Sequence, residues 1–564
     1  MILKRRTTIF FVSGLFFFLP IFVGAQTPGS EVVFSIEPSY DYSGRQAVTA
    51  FLQQIGQNAY FYIDNDYYRT QSPGQKTEIS DAINNLSREF DSVIYPKLRE
   101  FYGSEKKPGI DGDDKITVLL FNMKGEAAGY FNPADEYPKI QLPKSNEREM
   151  IYLNVAQATS SWAKGFLAHE FVHLITFNQK DVILGISEET WLNETRAEYA
   201  PALLGYNDSY EGSILQKRVS DFLQNPSNSL TNWQNKKSGY GVINLFSQYL
   251  VDHYGEKIMS GSMKSPKIGI ASINDALEKN GFQDDFKLIF TRWTIALLVN
   301  DCSFGEKYCY INLDLKSLRV TPAVNFLPVT GESSLQVFNA TFDWSGNWFK
   351  IIGGGKGTLT FDFDGDDSVS FGVPYLLCDT SGKCQIQILS LDNLQKGEIL
   401  IPDFSSKYTS LIFVPSIQSK MSGFEGTEPT YTFFWKVSIS SNQQEGGGGA
   451  EENSGQIASL LAQIDQLKKQ IAALQAQISS LVAGQSTTCL SFQADLYFGM
   501  TDNADVRCLQ QFLKNQGNAI YPQGLITGNF FSLTQAAVKR YQAQKGIIQT
   551  GYFGPLTRAA ANAQ

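Results

Sequence analysis

His169-Glu170-Phe171-Val172-His173 constrains this 564-residue chain more than any other stretch, because the chain has only three histidines and two of them stand here, four positions apart. On a helix, residues at that spacing point the same way, so both imidazoles can reach one metal ion while Glu170, one position on, faces a water at that ion. The pattern works only on a helix. Trp162 to Thr176 is rich in helix-compatible residues and has no internal proline. Trp162 and Phe166 share the histidine face while Leu167, Phe171 and Leu174 cover another, so this helix is expected to be largely buried.

Two imidazoles leave a catalytic zinc one protein ligand short. Trp191-Leu192-Asn193-Glu194-Thr195-Arg196-Ala197-Glu198 offers it: Glu194 follows His173 by 21 positions (194 − 173), room for a helix to end, a loop to turn and a second helix to return. Glu188 or Glu189 is an alternative ligand. Glu198, one helical turn beyond Glu194, is placed to hydrogen-bond the outer nitrogen of a liganding histidine; the plainer reading is a solvated carboxylate. In such a set, zinc acidifies water and Glu170 moves the water proton to the leaving amine.

His-Glu-Phe-Val-His followed by Trp-Leu-Asn-Glu-Thr-Arg-Ala-Glu resembles the gluzincin metallopeptidases, the group of thermolysin and related aminopeptidases. Asn146 to Leu153, Gly129-Tyr130-Phe131 and Tyr240-Gly241 narrow the likeness toward the hyicolysin-like peptidases, over roughly residues 30 to 300. The resemblance implies Zn2+ held by His169, His173 and Glu194, and a tyrosine or histidine beyond the ligands that donates to the oxyanion. Tyr240 is the candidate and His253, in the helical stretch Gln248 to Tyr254, the competitor. No segment resembles the aminopeptidase motif that binds a free amino terminus, so endopeptidase activity is the expectation.

The length calls for several folded units. Residues 1–25 carry Lys4, Arg5 and Arg6, an apolar run from Ile9 to Val23 and a small-residue end at Val23-Gly24-Ala25, which is the pattern of a bacterial-type export signal; an uncleaved anchor is the alternative. Residues 26–310 mix strand and helix patterns, with strands expected at Ile116 to Phe121 and Glu149 to Leu153 and helices at Glu78 to Tyr102 and Ser160 to Gln179. This is expected to be an α+β, zincin-type catalytic domain. Residues 311–440 turn to short β-rich runs such as Thr358 to Phe363, Gln385 to Leu389 and Tyr408 to Val414, expected to form a β-sandwich. Residues 441–455, with Gly446 to Gly449, read as a flexible linker.

Over 456–484, Ile457, Ile464, Ile471 and Ile478 at a and Leu460, Leu467, Leu474 and Leu481 at d make four heptads. They predict either a short parallel coiled coil, hence a homodimer, or a single helical spacer. The cysteines fall into three local pairs, Cys302 with Cys309, Cys378 with Cys384 and Cys489 with Cys508, which on an exported chain reads as three disulfides. Asp111-Gly112-Asp113-Asp114 and Asp362 to Asp367 have oxygen ligands suited to Ca2+ but lack a full calcium loop, so turns with solvated carboxylates are the plainer account.

Residues 488–564 hold a repeat: Thr527-Gly528-Asn529-Phe530 with Thr534, Ala536 and Ala537 recurs as Thr550-Gly551-Tyr552-Phe553 with Thr557, Ala559 and Ala560. With Val506, Leu509, Phe512 and Leu513 on one face of a preceding helix, this predicts a small all-α domain, and it resembles the peptidoglycan-binding-like domain of bacterial wall hydrolases. That resemblance implies cell-wall glycan as a partner, or a protein instead. With 47 Lys+Arg against 56 Asp+Glu, net charge −9, nucleic acid is excluded as an electrostatic partner. The expectation is a secreted or wall-associated zinc endopeptidase acting on proteins. A stem-peptide hydrolase of peptidoglycan and a noncatalytic wall-binding scaffold or adhesin are the alternatives.

Overall fold

The computed structural model describes residues 26–125, 127–328, 333–419, 429–440 and 491–563, apart from 499, 501–502, 523 and 531. The export signal, the linker, the heptad array and Cys489 lie outside the described residues. Among the described residues, no helix is long and apolar enough to cross a membrane.

The N-terminal part is built on a six-stranded sheet in the order β1-β2-β3-β4-β6-β5. Its strands are β1 (Glu31–Ser35), β2 (Ala47–Ile55), β3 (Ala59–Asp64), β4 (Ile116–Phe121), β5 (Gly129–Phe131) and β6 (Met150–Asn154). β3, β4 and β6 run parallel, and β5 returns antiparallel as an edge strand. Every residue of β4 is buried, as expected where apolar residues continue without alternation and both faces are covered.

Ten helices follow the chain: α1 (Asn65–Arg69), α2 (Pro73–Glu89), α3 (Tyr95–Tyr102), α4 (Ala163–Thr176), α5 (Thr190–Leu203), α6 (Ile214–Gln224), α7 (Lys237–Tyr254), α8 (Lys257–Lys264), α9 (Gly269–Lys279) and α10 (Phe286–Val299). α2 starts on a capping box between Ser72 and Gln75 with Pro73 in the first turn, so its start is set locally. The single helix expected over Glu78 to Tyr102 is instead α2 and α3 joined by a π turn, Phe90–Ile94. The wider turn shifts the helical phase, and Ile83, Leu86, Phe90, Ile94 and Leu98 all stay buried.

The β-rich part contains β7 (Ala323–Leu327), β8 (Ser333–Thr341), β9 (Phe349–Gly353), β10 (Gly357–Gly365), β11 (Phe371–Gly372), β12 (Pro374–Asp379), β13 (Cys384–Ile388), β14 (Lys396–Phe404), β15 (Tyr408–Phe413), β16 (Ser416–Ile417) and β17 (Tyr431–Ser440). Nine of these hydrogen-bond as one sheet, not the two separate sheets of a sandwich. The two layers, β13-β12-β15-β9-β7 and β14-β10-β17-β8, are joined at the single pair Phe404 and Tyr408. The physical reason is the tight turn between β14 and β15. Asp403 and Ser405 take positive φ, and Ser405 N donates to Tyr408 O at 2.7 Å, so the chain changes layer without breaking the ladder. Phe361, Phe363, Phe413, Phe433 and Trp435 fill the space between the layers.

The β-rich part is also fused to the helices. Trp344, Trp348, Leu376, Ile412 and Val414 belong to the same buried cluster as α4, α5, α7 and α10, and Trp348 Nε1 donates to Thr294 O at 3.0 Å. Disulfides Cys302–Cys309 and Cys378–Cys384 are formed, and Cys508 is also disulfide-bonded.

At the C-terminus α11 (Ala504–Asn515), α12 (Ser532–Gln544) and α13 (Pro555–Asn562) enclose Val506, Leu509, Leu513, Val538, Tyr541 and Phe553. The repeat has a polar cause that its sequence pattern did not reveal. Gln510 Oε1 accepts from Thr527 N and Gly528 N, and Gln542 Oε1 accepts from Gly551 N. Each buried amide thus satisfies the Thr-Gly turn that follows it, where an unpaired backbone group would be costly.

Candidate metal centre

α4 and α5 pack against each other and carry the site between them. The rings of His169 and His173 meet edge-on at 4.8 Å, with their Nε2 atoms 3.1 Å apart. Glu194 enters from α5, its Oε2 3.3 Å from His169 Nε2 and its Oε1 3.7 Å from His173 Nε2. A tetrahedral ion with bonds of about 2.0–2.1 Å spaces its ligand atoms about 3.3 Å apart, so the three groups fit zinc. Among the described residues, this is the one trio of His, Cys, Asp or Glu side chains whose ligand atoms all lie within 4.8 Å of one another.

The outer nitrogens are held as well. Asn193 Oδ1, an acceptor only, lies 3.1 Å from His173 Nδ1, which puts the ring hydrogen there and leaves the Nε2 lone pair facing the trio. Glu198 Oε1 stands 3.5 Å from His169 Nδ1. Glu198 is buried and gripped by Arg218, whose Nε and Nη2 donate to its two oxygens at 2.7 and 2.6 Å, with Asn244 Nδ2 at 3.3 Å. The solvated-carboxylate reading of Glu198 is therefore replaced by a buried one. Arg218 and Asn193 had no signal in the sequence beyond their residue type.

Glu188 and Glu189, the alternative ligands, are engaged elsewhere. Glu188 pairs with Arg196 at 2.8 Å and Lys180 at 3.4 Å and accepts from Gly269 N at 2.7 Å, while Glu189 Oε2 accepts from Trp191 Nε1 at 2.6 Å. Within the acidic clusters, Asp113 accepts from Tyr60 OH and Lys115 N, Asp364 pairs with Lys396, and Asp366 caps Ser368.

Glu170 is buried on the neighbouring face of α4, against β5. Burial raises its carboxyl to about 8, with Glu194 and Glu198 adding to the rise and His169 opposing it. A Cβ on Gly129 would lie 2.6 Å from Tyr152 O, 2.8 Å from Glu170 Cγ and 2.9 Å from Glu170 Oε1, so only glycine lets β5 approach this closely. Gly129→Ala is expected to cost about 1–3 kcal/mol by overpacking and to displace Glu170 or part β5 from β6. A lowered melting temperature checks this; an unchanged one would show that the close approach does no work.

Burial alone would depress His169, but the Glu194 hydrogen bond and the Glu170, Glu194 and Glu198 charges outweigh it and raise the imidazole to about 9. Burial holds His173 below the ordinary value, and the two imidazoles hold Glu194 below its own despite burial. Since the folded value of His169 lies above its unfolded one, its proton stabilises the metal-free protein fully below pH about 6.5, and this stabilisation is lost as pH rises through about 9. A metal competes with that proton. Apparent zinc affinity is expected to fall by up to about tenfold per pH unit below pH 9 and to level off above it, measurable by chelator competition at several pH values. A flat profile between pH 6 and 8 would contradict it.

Tyr240 lies in the first turn of α7 with its ring 6.5 Å from that of His169, under the Arg218 guanidinium at 4.7 Å and edge-on to Trp233 at 4.7 Å. Its hydroxyl donates to Asn235 Oδ1 at 3.0 Å. Burial first, then the Glu194, Glu198 and Glu170 charges, raise its pKa far above the ordinary phenol value, so it remains a proton donor. His253 is 13 positions further along α7, about 20 Å at the helical rise, and its Nε2 meets Cys309 O at 2.7 Å. It does not share the site.

Residues 502–561 match the family model of a putative peptidoglycan binding domain. No curated protein matches the chain. Among solved structures, a periplasmic inhibitor of g-type lysozyme from Aeromonas hydrophila is 12% identical over 21% of this chain and 100% of its own, at a TM-score of 0.15. A metallopeptidase from Bacteroides thetaiotaomicron is 8% identical over 65% of this chain and 64% of its own, at a TM-score of 0.17. Scores this low carry no argument about either fold or function.

Proposed function

We propose that this chain is a zinc-dependent endopeptidase of the gluzincin type, exported and held at the cell wall by its C-terminal module. The observation that carries the reading is the convergence of His169 Nε2, His173 Nε2 and the Glu194 carboxylate, with outer partners fixing both imidazoles. Zinc bound there supplies Lewis acidity to a scissile carbonyl and acidifies a water. Glu170, buried beside the ligands, takes a proton from the water and returns it to the leaving amine. β5 ends the sheet beside Glu170, and its open edge offers backbone groups to an extended peptide. Tyr240, once released from Asn235, is the donor for the oxyanion.

A second reading, hydrolysis of peptidoglycan stem peptides, is favoured by the match of residues 502–561. The test is the zinc content of the purified full-length chain, with digestion of casein and of isolated cell wall. Casein fragments support the first reading, and soluble muropeptides without casein fragments support the second. A protein that takes up zinc stoichiometrically yet cuts neither would be a scaffold.

A further inference from the structure

Asp343 is a buried carboxylate far from α4 in sequence and outside the metal centre. It stands at a corner of the β-rich part, just after β8, and grips the loop that connects α6 to α7. Its Oδ1 accepts from Thr231 Oγ1 at 2.9 Å and from Ser229 Oγ at 3.2 Å. Ser229 Oγ in turn accepts from Thr231 N at 3.2 Å and Asn232 N at 3.0 Å. Leu230 N donates to Trp344 O at 3.0 Å, so the grip is made by backbone as well as side chain.

The anchor itself is rigid. Trp344 is held at φ +47, its N donates to Ile417 O at 2.8 Å, and its ring packs edge-on against Phe286 and Phe290 of α10 at 4.8 and 5.2 Å. Just past the gripped segment the same loop presents Trp233, edge-on to the Tyr240 ring, and Asn235, which takes the Tyr240 hydroxyl. Trp233 stands two positions after Thr231, so the grip on Thr231 lies close along the chain to the ring that floors Tyr240.

We propose that the β-rich part is a working component of the metal centre: the Asp343 and Trp344 corner clamps residues 229–232 and thereby aims Tyr240 at the reacting carbonyl. Asp343 is a positioning residue, acting through the Trp233 ring packed on Tyr240 and touching no substrate; Asn235 is the resting partner that the hydroxyl leaves. The proposal rests on the peptidase reading above and on the role given there to Tyr240.

The test uses the full-length, zinc-loaded protein and labelled casein, with kcat and KM separated. Asp343→Ala is expected to lower kcat by about tenfold to a hundredfold, because donors misplaced by an ångström lose most of their effect, while KM and zinc content stay put. Asp343→Asn, which keeps the Oδ1 acceptor, is expected to retain activity. If Asp343→Ala fails to fold, Ser229→Ala with Thr231→Val removes the same hydrogen bonds from the other side. In a Tyr240→Phe background the Asp343→Ala loss is expected to vanish, since nothing remains to be aimed. A full loss in that background overturns the clamp, and so does an unchanged kcat for Asp343→Ala. Casein turnover that survives Tyr240→Phe but not Glu170→Gln also overturns the clamp while leaving the peptidase reading standing; a wild-type protein that neither takes up zinc nor cuts casein removes that reading.

Discussion

Glu170→Gln is expected to cut peptide turnover by about 10²–10⁴-fold, the range of a positioned general base, while zinc content and fold stay intact. The substitution keeps shape and burial and removes only the ability to take a proton. Glu170 has the properties that role needs. It is the residue next to a ligand, and it lies buried over Gly129 at the sheet edge. In the metal-free protein burial raises the Glu170 carboxyl to about 8, so loss of that destabilised charge predicts a metal-free Gln variant at least as stable as the parent above pH 8. Turnover unchanged in a zinc-replete Glu170→Gln protein would end the proposed chemistry.

Glu194→Ala is expected to abolish zinc retention on dialysis, whereas Glu198→Gln weakens zinc affinity only about 10–100-fold, as for a group that orients a ligand. The distinction follows from what each carboxylate touches. Glu194 faces the two Nε2 atoms directly, its Oε2 3.3 Å from His169 and its Oε1 3.7 Å from His173. Glu198 is satisfied on both oxygens by Arg218. The glutamine is the informative change there, because Glu198→Ala would leave the nearly buried Arg218 unpaired, at a cost of about 3–5 kcal/mol that would confuse binding with folding. Metal analysis of the two variants, with melting curves alongside, separates these outcomes. Equal zinc retention in both would mean that Glu194 is not a ligand.

Some of this is legible in the sequence. The strand at Ile116 to Phe121 falls where it was expected, and α4 lies within the stretch read as helical, although its end passes into a π turn, Phe177–Ile183, that no periodicity announces. Over 311–440 a β-sandwich was expected and the join between its layers at Phe404 and Tyr408 was not, because that join depends on two positive-φ residues, neither of them glycine, which alternation cannot encode. Glu198 was placed on the right helical turn, but its burial could not be read, since that comes from Arg218 on a different helix.

By itself the sequence determined the parts whose geometry is local. Four-residue spacing on a helix sets two imidazoles side by side, neighbouring cysteines close short loops, and the Thr-Gly repeat marks successive turns. Which carboxylate comes back to those imidazoles, what presses on Tyr240, and why Asp343 stands 114 positions from Ser229 and yet bonds to it were decided by tertiary structure alone. Burial and hydrogen-bond partnership are properties of surfaces that meet only after the chain has folded, and nothing along the chain records which surfaces those will be.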